Sequence, residues 1–305
     1  MQRSRKVLLV LLMALGPGCV DAEPGTTRDT TTSTATASET PMVVLAVGDI
    51  AHCDVTEDEA VARLVDTLPG PVLLLGDIAY PAGTAEQFER CFDPAWGRYR
   101  ERLRPAPGNH EYGTAEAAGY FGYFGAAAGE RGKGWYSFDV GEWHVIALNS
   151  NCAAVGGCGA GSEQERWLRE DLARSTARCT LAFWHHARFS SGGTHGSDPV
   201  TGDLWRALAD VGAEVVLTGH EHNYERFAPL DPAGRVDPER GIRQFVVGTG
   251  GRSHYGFGVP REGSEVRAGS TFGLLELTLA ADDYRWRFVP VADESFTDAG
   301  EGRCR

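Results

Sequence analysis

From Pro41 onward, short apolar runs break off into polar, glycine-containing loops, and a helical stretch often follows. Met42–Val47 ends in Gly48-Asp49 and Val72–Leu75 in Gly76-Asp77. Leu181–Trp184 ends in His185-His186, and Val215–Leu217 runs into Gly219-His220. None of these runs alternates strictly, which predicts strands buried on both faces. Between them, Thr56–Leu68, Thr84–Arg102, Ser162–Ser175 and Thr201–Val211 carry helical spacing, and Ser162-Glu163-Gln164-Glu165 reads as a capping box. Gly134–Asn149 and Gln244–Val291 differ. They hold Trp135–Val140, Trp143–Asn149, Gln244–Gly248, Phe272–Leu279 and Tyr284–Val291 joined by short polar turns, the grammar of hairpins. Together these patterns predict an α/β fold: a four-layer α-β-β-α sandwich of two packed mixed sheets. With no internal repeat and no second compositional break, one folded domain is expected over residues 41–305.

The chain ahead of Pro41 follows another rule. Arg3, Arg5 and Lys6 precede the apolar run Val7–Leu15, which is too short to span a bilayer as a mature helix. Gly16-Pro17-Gly18-Cys19 resembles a bacterial lipoprotein processing site, with Gly16 where Leu is usual. Residues 1–19 are therefore expected to be an export signal, ending either in lipidation of Cys19 or in plain secretion. Residues 20–40 are rich in Thr, Ser and Ala and cannot bury enough surface to offset ordering entropy, so a linker is expected. Export permits disulfides, and beyond Cys19 six cysteines remain. Cysteine-ligated zinc is the rival reading, but no paired C-x-x-C spacing supports it. Cys53–Cys91 and Cys152–Cys158 are the favoured pairs, one bracing the loops after the first two strands and one closing a short Gly-rich loop. Cys179–Cys304 is the remainder. The net charge of −13 leaves no basic stripe for a nucleic acid or an anionic membrane.

The informative chemistry sits where the apolar runs end. In open α/β sheets, ligands bind outside the carboxyl ends of the strands. Here five such ends carry metal-binding side chains: Asp49; Asp77 with Tyr80; Asn109 with His110; His185; and His220 with His222. Singly, Gly-Asp after a strand is a common turn, and Tyr80 also suits a turn before Pro81. Gly108-Asn109-His110-Glu111 and Gly219-His220-Glu221-His222 are more specific, because two histidines at i and i+2 of an extended segment point the same way.

In this order the motifs resemble the purple acid phosphatases within the calcineurin-like metallophosphoesterases, over roughly residues 43–251. The segment His220-Glu221-His222-Asn223-Tyr224-Glu225-Arg226 is especially similar to that family. The chain has no room for the additional N-terminal β-domain of the large plant members, so it resembles a compact bacterial form. The resemblance implies a metallophosphoesterase-type sandwich with two metal ions. Asp49, Asp77, Tyr80 and His222 would hold Fe(III). Asp77, Asn109, His185 and His220 would hold a divalent Zn, Mn or Fe, with Asp77 bridging. Carboxylate and phenolate oxygens suit the trivalent ion, and imidazoles and an amide oxygen the divalent one. The implied activity is hydrolysis of phosphate monoesters of small substrates by a hydroxide formed on the metals. His110 and His195 are the implied catalytic residues: His110 beside the ligand Asn109, and His195 ten residues past His185 in a Gly/Ser loop. His186 is expected to turn away as a structural residue. Its neighbourhood departs from the family in having Ala187 in place of Pro. His52, at Asp-x-x-His rather than Asp-x-His spacing, is left out of the ligands; His144 and His254 are expected to be structural, with substrate contact the alternative for His254.

Two other functions stay open: a phosphodiesterase or nucleotide pyrophosphatase on the same centre, and a non-catalytic surface-displayed binding module. Lack of a G-x-x-x-x-G-K-[ST] loop argues against ATP-driven chemistry.

Overall fold

Leucine and valine fill both faces of the first strands, and this double burial decides the layering. A computed structural model describes residues 41–305. The expected signal segment 1–19, the linker 20–40 and Cys19 lie outside the described residues. The strands are β1 (Met42–Val47), β2 (Val72–Leu75), β3 (Leu103–Ala106), β4 (Tyr136–Val140), β5 (Trp143–Ala147), β6 (Cys179–Phe183) and β7 (Val215–Thr218). Then follow β8 (Tyr224–Phe227), β9 (Arg243–Val247), β10 (Ser264–Ala268), β11 (Gly273–Leu279), β12 (Asp283–Pro290) and β13 (Ala299–Arg303). One mixed sheet has the order β13-β12-β11-β1-β2-β3, the other β10-β8-β9-β7-β6-β5-β4. β1, β2 and β3 run parallel, as do β5, β6, β7 and β9.

Val44, Ala46, Leu73 and Leu75 meet Leu181, Phe183, Val215 and Leu217 between the sheets. The alternate residues Leu45, Val47, Val72 and Leu74 face the other way. They pack under α1 (Glu57–Leu64), the broken helical stretch 85–102, which holds α2 (Ala85–Gln87) and α3 (Asp93–Trp96), and α4 (Ala118–Phe124). Behind the second sheet, Ile146, Ala182 and Val216 pack against α5 (Glu163–Arg174) and α6 (Gly202–Asp210). The expected α-β-β-α sandwich is what forms. Each fully buried Val or Leu contributes about 1.5–3 kcal/mol relative to exposure.

All three cysteine pairs are disulfides as read. Cys53–Cys91 ties the loop after β1 to the helical stretch after β2, and Cys179–Cys304 staples the start of β6 to the end of the chain. Closing the first loop contributes about 3–4 kcal/mol in the chain-entropy model.

The structure corrects several expectations. Thr84–Arg102 is not one helix. A short α segment capped by Thr84 gives way to a π-helical turn at Phe88–Phe92, an α segment at Asp93–Trp96 and a 3₁₀ segment at Gly97–Arg102. Both Phe88 and Phe92 are fully buried, so packing overrides regular helical spacing. At α5 only half of the capping box forms: Ser162 Oγ accepts from the Glu165 amide, while Glu165 accepts from Gly161. β9 pairs parallel with β7 and antiparallel with β8 in the second sheet, not in a meander with β11 and β12. β3 was hidden by Arg104 and Pro105. As the outer strand of its sheet it tolerates a residue with no amide to donate.

His144 is structural, as expected, and its ring makes stability pH-dependent. On β5 its nitrogens lie 2.8 Å from Asp139 and 2.9 Å from Asp171. The hydrogen bond to Asp171, opposed by partial burial and aided by Asp139, holds the imidazole above its usual pKa. A group raised in the folded state stabilises fully below its unfolded value of about 6.5 and loses that contribution as pH rises through the folded value. His144→Gln should therefore cost about 1.5–3 kcal/mol at pH 6 and clearly less at pH 9. Urea unfolding in chelator at both pH values checks this, and an equal loss at both would refute the charged pair.

Candidate metal centre

β1, β2 and β3 in one sheet and β6 and β7 in the other end at a common edge of the sandwich. Backbone hydrogen bonds continue past the strands there: Asp49 N–H to Gly76 O (3.1 Å), Gly48 N–H to Val247 O (2.9 Å) and Gly219 N–H to His185 O (2.9 Å). Three of the expected ligands then take left-handed backbone conformations, Asp49 with φ 61°, Asp77 with φ 50° and His220 with φ 72°. Side chains adopt this region at a cost, and such residues cluster at functional sites.

These turns bring all seven expected ligands together. Tyr80 Oη lies 3.0 Å from Asp49 Oδ1, 3.1 Å from Asp77 Oδ2 and 3.0 Å from His222 Nε2. His222 Nε2 is 3.3 Å from Asp49 Oδ1. Beside this group, His185 Nε2 lies 3.2 Å from Asp77 Oδ2, 3.1 Å from Asn109 Oδ1 and 3.1 Å from His220 Nδ1. One oxygen, Asp77 Oδ2, belongs to both groups. Donors roughly 2.1 Å from a metal and at right angles to one another lie about 3.0 Å apart, so these spacings fit the edges of two coordination shells sharing that oxygen.

The polarity of the set fits cations too. His185 Nδ1–H donates to Leu75 O at 2.8 Å, which turns Nε2 toward Asp77, Asn109 and His220, all electron-pair donors. Only a proton or a metal ion satisfies such a convergence. Burial pushes His185 down, but Asp77, reinforced by Asp49, more than offsets it and holds the imidazole above its usual range. Burial likewise opposes ionisation of Asp77, yet His185 and His110 hold its carboxyl well below the ordinary value. Burial, then Asp49 and Asp77, keep the Tyr80 phenol protonated far above its usual range. A metal ion takes the place of such protons, because ligation favours the deprotonated forms.

Partners that the sequence did not flag hold the donors in place. Glu111 is fully buried and accepts from the amides of Asp77 (2.9 Å), Ile78 (2.9 Å), Ala79 (3.3 Å) and Gly108 (2.7 Å), clamping two of the ligand turns together. Its place in Gly-Asn-His-Glu was the available signal. Ser253 Oγ lies 2.7 Å from His222 Nδ1, and Tyr255 stacks on the same ring at 4.0 Å. Nothing local in Arg252-Ser253-His254-Tyr255 marks that loop.

The glycines of the motifs are spacers. A Cβ on Gly108 would sit 2.1 Å from Asp77 Oδ1, and one on Gly219 would sit 2.6 Å from Asp49 Oδ2. Gly108→Ala should therefore lower metal affinity by about 10–100-fold, as loss of an orienting contact does. Equilibrium dialysis measures it, and unchanged affinity would show that the turn yields without moving Asp77.

The remaining histidines divide. The His110 ring packs on Tyr80 at 4.2 Å, with Nδ1 2.5 Å from Pro81 O and Nε2 3.7 Å from Asp77 Oδ2. His195 is exposed and stacks on His220 at 4.0 Å. Both lie against the centre, as expected. His186 does not turn away. Its ring lies 4.4 Å from that of His220 and 4.9 Å from that of His185, with Nδ1 2.8 Å from Ser150 Oγ. The chain bends after β6, so the alternation of a strand no longer applies. Burial, then His185, push its pKa down to about 3, and it is a neutral wall of the site. His52 Nδ1 accepts from the Asp54 amide, and His254 stacks on Phe272.

A family model for calcineurin-like phosphoesterases matches residues 42–224, which spans β1 to the start of β8 and includes every expected ligand. The chain belongs to the calcineurin-like phosphoesterase family. Among curated relatives, purple acid phosphatase 15 of Arabidopsis thaliana is 29% identical over 257 residues, covering 70% of this chain and 46% of the relative. Acid phosphatase type 7 of Mus musculus is 26% identical over 186 residues, covering 52% and 41%. The chain thus spans about half the length of the curated relatives it matches. The purple acid phosphatase of yellow lupin seeds superposes with a TM-score of 0.71 at 20% identity, covering 86% of this chain and 53% of that one. A Plasmodium protein described as the anchor in the inner membrane complex superposes with a TM-score of 0.65 at 12% identity, covering 88% and 90%. Both likenesses establish the calcineurin-like phosphoesterase fold, and the curated relatives bear out the purple acid phosphatase resemblance read from the sequence.

Proposed function

We propose that this chain is a dinuclear-metal phosphomonoesterase of the purple acid phosphatase type. One observation carries the reading: a single carboxylate oxygen, Asp77 Oδ2, is common to two groups of converging donors. Asp49, Asp77, Tyr80 and His222 would hold Fe(III), and Asp77, Asn109, His185 and His220 a divalent Zn, Mn or Fe. When bound, two such ions supply Lewis acidity toward phosphoryl oxygens and a water of lowered pKa. The protein's own groups do the rest. Asp49 and Asp77, with Tyr80 as phenolate, would offset part of the positive charge of the two ions, and the shared Asp77 carboxylate would ease their mutual repulsion. His110, open to solvent beside the shared oxygen, donates to a phosphoryl oxygen. His195, over His220, donates to the leaving oxygen. Water's oxygen bonds to phosphorus, the ester P–O bond breaks, and the leaving oxygen gains a proton.

The residues expected to form the folded domain, 41–305, are proposed as the catalytic unit, exported behind the signal segment and either secreted or held by lipid at Cys19. The three disulfides are compatible with an exported protein. The test is a direct comparison of 4-nitrophenyl phosphate with bis(4-nitrophenyl) phosphate on the metal-loaded chain. Preference for the monoester supports the reading. Preference for the diester would make the chain a phosphodiesterase on the same centre. No turnover of either, with metals bound, would favour the non-catalytic module.

A further inference from the structure

Glu221 stands between His220 and His222 in sequence, yet none of the donor contacts uses it. It is fully buried, and its Oε1 accepts the backbone amide hydrogens of His195 (2.5 Å) and Gly196 (2.6 Å). Its Oε2 is buried with no hydrogen-bond partner among the described residues. The loop Ser190–Ser197 wraps closely around this carboxylate: a Cβ on Gly192 would lie 2.1 Å from Glu221 Cδ. The other side of the loop is tied to the segment after Tyr255, through Gly193 N–H to Gly256 O (2.9 Å) and Gly258 N–H to Ser191 O (2.8 Å).

Glycines at 192, 193 and 196 give this loop large conformational entropy to lose. Stacking on His220 at 4.0 Å, with Tyr255 at 5.6 Å, is a weak constraint for an exposed imidazole. Two charge-assisted bonds to consecutive amides, made from inside the protein, are the strong one. A carboxylate buried with one oxygen unpaired is costly, and an apolar residue there would avoid the cost. Stability alone does not account for Glu221.

We propose that Glu221 is a positioning residue: its buried carboxylate clasps the backbone at His195 and Gly196 and so fixes the His195 imidazole where it meets the leaving oxygen. This rests on the reading of His195 given above. Because Glu221 acts through the backbone of one loop, its removal disturbs His195 while leaving the metal donors in place.

The experiment uses the metal-loaded full chain with 4-nitrophenyl phosphate, a good leaving group, and phenyl phosphate, a poor one. Glu221→Met keeps the volume and removes the acceptor; Glu221→Ala serves if that variant does not fold. Metal content should stay at the wild-type value. kcat should fall about 10–100-fold on phenyl phosphate and several-fold less on 4-nitrophenyl phosphate, short of the ~10²–10⁴-fold expected for His195→Ala. Glu221→Gln, which keeps an acceptor oxygen for the two amides, should recover most of the rate. In a His195→Ala background the Glu221 change should add less than about twofold, since groups acting as a unit are non-additive. Equal losses on both esters, full multiplication in the double variant, or loss of metal would overturn the proposal alone. Wild-type kcat in His195→Ala would overturn the role of His195 and this proposal with it.

Discussion

Asp77→Ala removes both metals and the hydrolysis of 4-nitrophenyl phosphate together. The expectation follows from one atom. Asp77 Oδ2 lies 3.1 Å from Tyr80 Oη and 3.2 Å from His185 Nε2, so its loss opens both donor groups at once. Two neighbouring cations also lose the shared anion that offsets their repulsion. Orienting partners outside a ligand set already cost about 10–100-fold when mutated, so loss of a shared ligand should exceed that on both affinity and rate. His220→Ala should be less symmetric, because His220 Nδ1 faces His185 and not the Tyr80 group. It should abolish turnover while one metal per chain remains tightly held. Metal content measured beside activity separates the two variants. Equal loss of metal in both would mean that the two groups do not bind independently.

His110→Ala keeps its metals and turns over about 10²–10⁴-fold more slowly, the range for loss of one positioned proton donor. The backbone makes this separable. The contact of residue 110 to the centre's carboxylate is its amide, 2.9 Å from Asp77 Oδ1, and alanine preserves that amide. The side chain contributes only the ring, stacked on Tyr80 and facing Asp77 Oδ2 at 3.7 Å. His110→Ala with full rate would leave His195 as the sole donor to the substrate. His110→Ala without metal would show that the ring, through Tyr80, holds the first donor group together.

The fold and the donor set were legible in the sequence for the same reason. Strands buried on both faces give unbroken apolar runs such as Val72–Leu75, and a polar donor stands out where the strand stops and the edge opens. What stayed hidden was written in tertiary contacts. β3 carries Arg104 and Pro105 and reads as no strand, yet an outer position accepts it. β13, Ala299–Arg303, has two glycines because the rings of Trp286 and Tyr284 lie where side chains would be. The helix Ala118–Phe124 has six aromatic or glycine residues in seven and no helical polar face. In the site, the Glu111 clamp spans over thirty residues of sequence to reach Asp77, and His186 depends on a bend after β6 that strand periodicity does not encode.

The count of metal ions per chain tests the central claim most directly. The protein is loaded with iron and zinc, freed of loosely held metal, and analysed by mass spectrometry beside Tyr80→Phe and Asp77→Ala. The account predicts two metals per chain, one of them iron, with a phenolate-to-iron absorption band that Tyr80→Phe removes and a stoichiometry that collapses in Asp77→Ala. One metal or none in the wild-type chain, or two that persist in Asp77→Ala, would contradict it.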